Sequence, residues 1–279
     1  MRAVQTTTEP DGRAGSRSFM ADNCAEGEVI GVAMDGLGFG TDGRLWGGEF
    51  FVADFHDAER IAHLEYIPMP GGARAIREPW RMAAGYLHRV FGDEFLNLDL
   101  PFVQNMDRKA WATLRRMIAT GTNSPETSSM GRLFDAVSSL LGLRNTVNYE
   151  GQAAIELEAT ADRSCTQGYE FEIGAGGTTI NAEPVIRRAV EDLLDGLPAE
   201  TVSAKFHLGV IHLIVLVARN VRERRRLNRV ALSGRRTRIS RWSGSRSASR
   251  RPRLRGINGR PHEAERLRSG HLHHRRGEA

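Results

Sequence analysis

The 279-residue sequence is poor in cysteine: it has two, Cys24 and Cys165. That excludes a disulfide framework and fits a reducing compartment. The N-terminus has no apolar stretch behind a basic start, so a secretory signal is not expected. Long hydrophobic runs are also missing. The most apolar run, about Leu208–Ala218, falls short of the roughly 20 residues that span a bilayer. No Gly-Lys-Ser/Thr is present, which excludes a P-loop. A cytoplasmic protein without a membrane segment is the expectation.

What is present is an uneven charge distribution. The chain carries +5 in all, but residues 233–279 hold 14 Arg, no Lys and three acids, a balance of +11. Residues 1–232 hold 25 basic and 31 acidic groups, a balance of −6. A mildly acidic body is joined to an Arg-rich tail, so the overall positive charge does not describe a nucleic-acid-binding domain. Residues 1–17 are polar and read as disordered, and residues 235–279 show no period of 2 or 3.6 and are read as a disordered tail.

Between these ends the pattern is α/β. Val29–Met34 is an apolar run of buried-strand type, and Leu45–Ala53 a second strand. Asp35–Gly43 joins them, with four glycines in its last eight positions, so a hairpin with a Gly-rich loop is predicted. Ile61–Tyr66 is a third strand candidate. Helices are predicted over Glu78–Val90, Asp107–Thr120, Ser128–Leu143, Gln152–Ala161, Pro184–Leu194 and Ser203–Arg226, with a short strand at Asn228–Leu232. In Ser128–Leu143 the residues Leu133, Phe134, Val137, Leu140 and Leu141 form one apolar stripe, which leaves Arg132, Asp135 and Ser139 for the solvent side.

Several residues admit two readings. Asp35 at a strand end, followed by Gly36 and Gly38, suits a phosphate and divalent-metal site, or an ordinary Gly/Asp turn. The spacing is not a Rossmann fingerprint. Asp135 is either a ribose-binding acid or a solvated surface group. Glu150 and Gly151 either aim backbone donors at a ligand or simply start a helix. His207 and His212, five apart, do not share a helix face as metal ligands would, and Arg222–Arg226 suits a solvated helix end. His271, His273 and His274 have no companion ligands.

Four ordered blocks go beyond composition. They are Val29-Ile30-Gly31-Val32-Ala33-Met34-Asp35-Gly36-Leu37-Gly38-Phe39-Gly40 with Leu45-Trp46-Gly47-Gly48-Glu49-Phe50; Pro70-Gly71-Gly72 with Ile76-Arg77-Glu78-Pro79-Trp80-Arg81-Met82; Thr127–Val137; and Tyr149-Glu150-Gly151-Gln152-Ala153-Ala154. Together they resemble the C-terminal region of HypF-type carbamoyltransferases of [NiFe]-hydrogenase maturation, over residues 18–234. The resemblance implies a partial ASKHA-type fold with helical insertions. It also implies transfer of a carbamoyl group from carbamoyl adenylate, made from carbamoyl phosphate and ATP, to the C-terminal cysteine of a HypE-type partner. By the same resemblance Asp35 is a metal ligand (Zn or Fe), and Asp135 holds the nucleotide ribose. Gly36, Gly38, Gly151, Ser233 and Gly234 lie in backbone segments around the nucleotide. Membrane and nucleic-acid partners are not implied.

Two departures stand out. Where the family has a His-rich motif, this chain has Thr6-Thr7-Thr8, and where the family continues Ser-Gly-Gly, Ser233-Gly234 runs into Arg235-Arg236. A shifted reading frame at both ends accounts for both, and the expectation is a domain with an incomplete metal site and little or no activity of its own. The competing readings are another ASKHA phosphotransferase, a non-catalytic fragment that docks the HypE-type partner, and an Arg-rich tail that binds nucleic acid electrostatically.

Overall fold

The structure is a computed structural model that describes residues 27–54, 56–233 and 255–256. Cys24, Gly234, residues 1–17 and almost all of the Arg-rich tail lie outside the described residues, as do the readings made of them. The framework is one mixed sheet. Strands β1 (Val29–Phe39), β2 (Leu45–Ala53) and β3 (Ala58–Leu64) form an antiparallel meander, and β8 (Arg229–Ser233) lies parallel to β1 on its other side. Strand β7 (Thr179–Asn181) pairs with β3 and, through an antiparallel hairpin, with β6 (Glu172–Ile173). The order is β6-β7-β3-β2-β1-β8-β9, where β9 is Arg255–Gly256, a two-residue strand within the tail. A small side pair, β4 (Ile67–Pro68) and β5 (Glu126–Thr127), attaches to β2 at Leu45.

The helices are α1 (Ala73–Arg77), α2 (Trp80–Phe91), α3 (Pro101–Gln104), α4 (Arg108–Thr120), α5 (Met130–Leu140), α6 (Gln152–Thr160), α7 (Glu183–Leu194) and α8 (Ala199–Arg225). Alternation along the central strands sends Ile30, Val32, Met34, Phe50 and Val52 into one large core, shared with α2, α5, α7 and α8. The opposite face carries a smaller cluster of Ala33, Trp46, Phe51, Ala53 and Ala58 with Tyr66 against it.

Element ends follow local chemistry. Asp107 caps α4, accepting hydrogen bonds from the amides of Lys109 (2.8 Å) and Ala110 (3.2 Å). Ser129 caps α5 through the amide of Arg132 (3.2 Å). Helix α8 begins a turn earlier than expected, because Val202 already bonds back to the Pro198 carbonyl (3.1 Å). The expected third strand, Ile61–Tyr66, sits at Ala58–Leu64, and Tyr66 lies beyond it.

Three expectations are corrected. The Gly-rich segment is not one loop: β1 continues through Phe39, and its pairing with β2 slips between Met34 and Gly38. Glycine marks a bulge as readily as a turn, so periodicity does not separate the two. The turn itself is closed by the Gly40 amide on the Arg44 carbonyl at 2.7 Å. Second, the supposed solvent side of α5 is buried: Arg132 is 1%, Asp135 3% and Ser139 0% exposed. The helix packs against α2, α6 and β1 at once, so a single apolar stripe does not describe its surroundings. Third, the apolar run Leu208–Ala218, expected to be too short to span a bilayer, is part of the longer helix α8. Among the described residues it is the one helix long and apolar enough to cross a membrane by length and composition. Twelve of its residues are buried in this fold, where it packs on α6, α7 and β1.

Candidate functional site

The site forms where the parallel strands β1 and β8 end. Ala33 of β1 is in register with Ser233 of β8, so Asp35 and the chain leaving β8 emerge at the same edge. In open α/β sheets ligands bind outside the carboxyl ends of parallel strands. At the β1–β2 slip, Asp35 turns its carboxylate back onto the amide of Gly36 (2.7 Å).

The N-terminus of α5 is clamped onto this strand end. The Ser129 hydroxyl shares its proton between the carbonyl oxygens of Asp35 (3.0 Å) and Gly36. The approach is close enough to require glycine on both sides. A Cβ on Gly131 would lie 2.8 Å from the Gly36 Cα, and one on Gly47 would lie 2.6 Å from the Asp35 carbonyl oxygen. The preceding residue, Ser128, donates its hydroxyl to Glu49, which is fully buried on β2. The second oxygen of Glu49 has no hydrogen-bond partner. Burial pushes this carboxyl up to about 7, against the pull of the Ser128 hydrogen bond and the more distant Arg60.

Behind Gly36 lies a buried charge pair. Arg132 and Asp135 approach to 3.0 Å without the alignment of a hydrogen bond, and Nε and Nη1 of Arg132 have no hydrogen-bond partner among the described residues. Burial raises Asp135 to about 6, Arg132 pulls it down, and Glu150 pushes it further up. Glu150 stands at the mouth: a Cβ on Gly36 would lie 2.4 Å from its Oε1 and 3.7 Å from Nη2 of Arg132. Gly151, with φ 83°, then caps α6 in a backbone conformation that favours glycine.

Of the residues singled out from sequence, the structure brings Asp35, Gly36, Asp135 and the Glu150–Gly151 turn to one place. Ser233 ends β8 at the same sheet edge. Gly38 is past the slip, paired with Trp46 on the hairpin. Gly234 is outside the described residues. Arg132, Ser129, Gly131, Gly47 and Glu49 carry much of the geometry and were assigned no role from sequence. The signal for Ser129, Gly131 and Gly47 was a Ser cap and a Gly at a helix start facing a Gly-bearing strand. Nothing in the pattern showed that Arg132 is buried.

The described residues do not by themselves assemble a metal site. Among the described residues no group of three His, Cys, Asp or Glu side chains converges, and the Asp35 carboxylate is engaged by its neighbour's amide. The other motifs are structural. His207 is a core histidine, its Nδ1 2.8 Å from the Ser203 carbonyl and its ring edge-on to Phe134, and burial lowers its pKa. His212 is exposed.

Sheet, clamp and buried pair define a partial ASKHA-like α/β domain of Kae1-like type. Residues 31–235 match the family model described as "Carbamoyltransferase, Kae1-like Domain, second subdomain". The chain belongs to the HypF-type carbamoyltransferase family. It is 45% identical over 146 residues to carbamoyltransferase HypF2 of Cupriavidus necator, covering 52% of this chain and 17% of that protein. With HypF of Synechocystis sp. it shares 34% identity over 224 residues, covering 75% and 28%. Among solved structures it superposes on full-length HypF in the phosphate- and nucleotide-bound form with TM-score 0.74 and 38% identity, covering 80% of this chain and 34% of that one. The HypF of T. kodakarensis gives TM-score 0.71 at 31% identity, covering 82% and 31%. The chain thus spans about a sixth to a third of the length of these relatives.

Proposed function

We propose that the strand-end site binds the nucleotide portion of carbamoyl adenylate, formed from carbamoyl phosphate and ATP. In this reading the carbamoyl group passes to the C-terminal cysteine of a HypE-type maturation protein during [NiFe]-hydrogenase maturation. The sulfur attacks the carbamoyl carbon, the bond to the AMP oxygen breaks, and the thiol proton leaves. The observation that carries the reading is the convergence of Gly36, Asp135 and the Glu150–Gly151 turn at the carboxyl end of β1, with Nη2 of Arg132 beside Gly36. Asp135 is the group for the ribose. Gly36, Gly38, Gly151, Ser233 and Gly234 supply backbone around the nucleotide. A cytoplasmic location fits the use of ATP.

Among the described residues Asp35 is the one for which the family resemblance implies metal ligation, and no group of three possible ligands converges there. That same observation favours a second reading, a domain that docks the HypE-type partner and nucleotide without turning over. One pair of measurements separates them: nucleotide binding by calorimetry, and transfer of labelled carbamoyl to the partner's cysteine. Nucleotide binding without transfer by this chain supports the second reading, and transfer supports the first. Absence of both binding and transfer rejects the nucleotide assignment.

A further inference from the structure

We propose that the outer edge of β3 is a docking site for an extended acidic peptide, which adds to the sheet as a strand. Strand β3 is paired with β2 along Ala58–His63, but with β7 only at His63 and Leu64. From Ala58 to Ala62, therefore, its other edge has no strand beside it among the described residues. That edge opens into a cleft of about 540 Å³, bounded by the β6–β7 loop and the last turns of α8. The stretch is about 17 Å long at the usual rise per residue, which matches five residues of an added strand.

The walls suit such a guest. The floor is apolar, from Val52, Ile61, Val217 and Val221. The loop opposite, Gly174-Ala175-Gly176-Gly177, presents almost no side chain and is held closed by the Gly177 amide on the Gly174 carbonyl (2.7 Å). Backbone can therefore approach closely from either side. At the rim Arg225 binds Glu59 through one nitrogen at 2.7 and 3.0 Å, while Arg224 has no partner among the described residues. The cleft keeps an uncompensated positive charge, which favours an acidic strand and disfavours a basic one.

A second copy of the chain is the poorer guest. Symmetric pairing of two β3 edges would bring like-charged rims together. The slip at Ile61, where Phe50 faces Ala62 and Phe51 faces Arg60, is a bulge that interrupts the ladder for either guest, so charge is what separates the two.

The test uses the full chain and a labelled hexapeptide of alternating Glu and Val, read by fluorescence anisotropy. Two comparison peptides are needed: one with Lys for Glu, and one of the Glu-Val sequence with every backbone amide N-methylated, which keeps charge and side chains but cannot donate ladder hydrogen bonds. The Glu-Val peptide is expected to bind at least about tenfold tighter than either comparison peptide. It should also slow amide exchange across 58–62. Arg224→Glu should weaken it by about tenfold or more, and Arg224→Gln by less. Arg224 is exposed at a helix end, and circular dichroism of both variants checks their folding. Because the Arg-rich tail is present throughout, equal binding of the N-methylated peptide would assign the signal to the tail and overturn the proposal. So would an unaltered affinity in Arg224→Glu, unchanged exchange across 58–62, no binding of the Glu-Val peptide, or displacement by free glutamate at the peptide's own concentration.

Discussion

Arg132 and Asp135, one turn apart on α5, face each other at 3.0 Å with neither side chain open to solvent. Nε and Nη1 of Arg132 have no hydrogen-bond partner among the described residues, while Nη2 is the nitrogen that lies near Gly36. A buried ion pair is weak support for stability, but removing one member strands the other. Arg132→Met should therefore destabilise the domain by about 3–5 kcal/mol in denaturant unfolding, and the double variant Arg132→Met/Asp135→Leu by less than either single change. Additive losses would show that the two charges do not depend on each other.

The same pair should set nucleotide affinity. Asp135→Asn keeps volume and removes the charge at the position proposed for the ribose. A loss of about tenfold or more in ATP or AMP affinity is expected by calorimetry, corresponding to about 1–3 kcal/mol for a hydrogen bond to a charged group. Unchanged affinity in a folded variant would remove Asp135 from the site.

Glu49 gives the domain a pH dependence. Its folded value, about 7, lies above the ordinary 4.5 because burial disfavours the carboxylate. The folded state holds its proton more tightly than the unfolded state, so stability falls as pH rises from about 4.5 to about 7 and levels off above. The loss over that window is about 3 kcal/mol from the size of the shift. Asp135, raised to about 6, acts in the same direction. Glu49→Gln should flatten the Glu49 part of the profile, so melting temperatures of variant and parent should diverge most above pH 7. Parallel melting curves from pH 5 to 8 would exclude this role.

The close approach of α5 to β1 predicts opposite outcomes for two Gly→Ala changes. At Gly131 the new Cβ meets backbone at 2.8 Å, and either α5 or β1 must shift. A loss of about 1–3 kcal/mol and weaker nucleotide binding are expected. At Gly85, inside α2, a Cβ meets nothing within 4 Å. Gly85→Ala should stabilise by up to about 1 kcal/mol, from helix propensity and a restricted unfolded chain. Equal effects at the two positions would show that the contact at Gly131 is not tight.

Tyr169 ties α7 to α8 through Asp192, its hydroxyl donating at 2.7 Å while Lys205 reaches the same carboxylate oxygen. Tyr169→Phe should cost about 1–2 kcal/mol in thermal unfolding, since the Lys205 contact still satisfies part of Asp192. A larger loss would mean that the hydroxyl organises the whole network.

Much of the fold was legible in the sequence. The apolar runs at Val29–Met34 and Leu45–Ala53 became β1 and β2, and the helical stripe of Leu133, Phe134, Val137 and Leu140 became the apolar part of a helix, α5, that is buried nearly all round. The caps Asp107 and Ser129 act through their own next turn, but no cap was assigned to either from sequence. The short strands β4 to β7 were not legible, because two or three residues carry no period and pair only through distant partners. The Asp-Gly motif, and the wording around Arg132 and Glu150, pointed to the right segments for the candidate site. Their meeting could not be read from any one of them.

What the sequence determined by itself is local: where strands and helices begin, which faces are apolar, the split between an acidic body and a basic tail, and the family wording, whose match covers residues 31–235. Tertiary structure decided the rest. Only the packing of α5 between sheet and helices turned a surface-looking Arg132–Asp135 pair into a buried one. Only the parallel placement of β8 beside β1 brought Ser233 to the edge where Asp35 emerges. The reason is physical: burial and convergence depend on which elements lie alongside, over separations of up to two hundred residues. Sequence periodicity reports one element at a time.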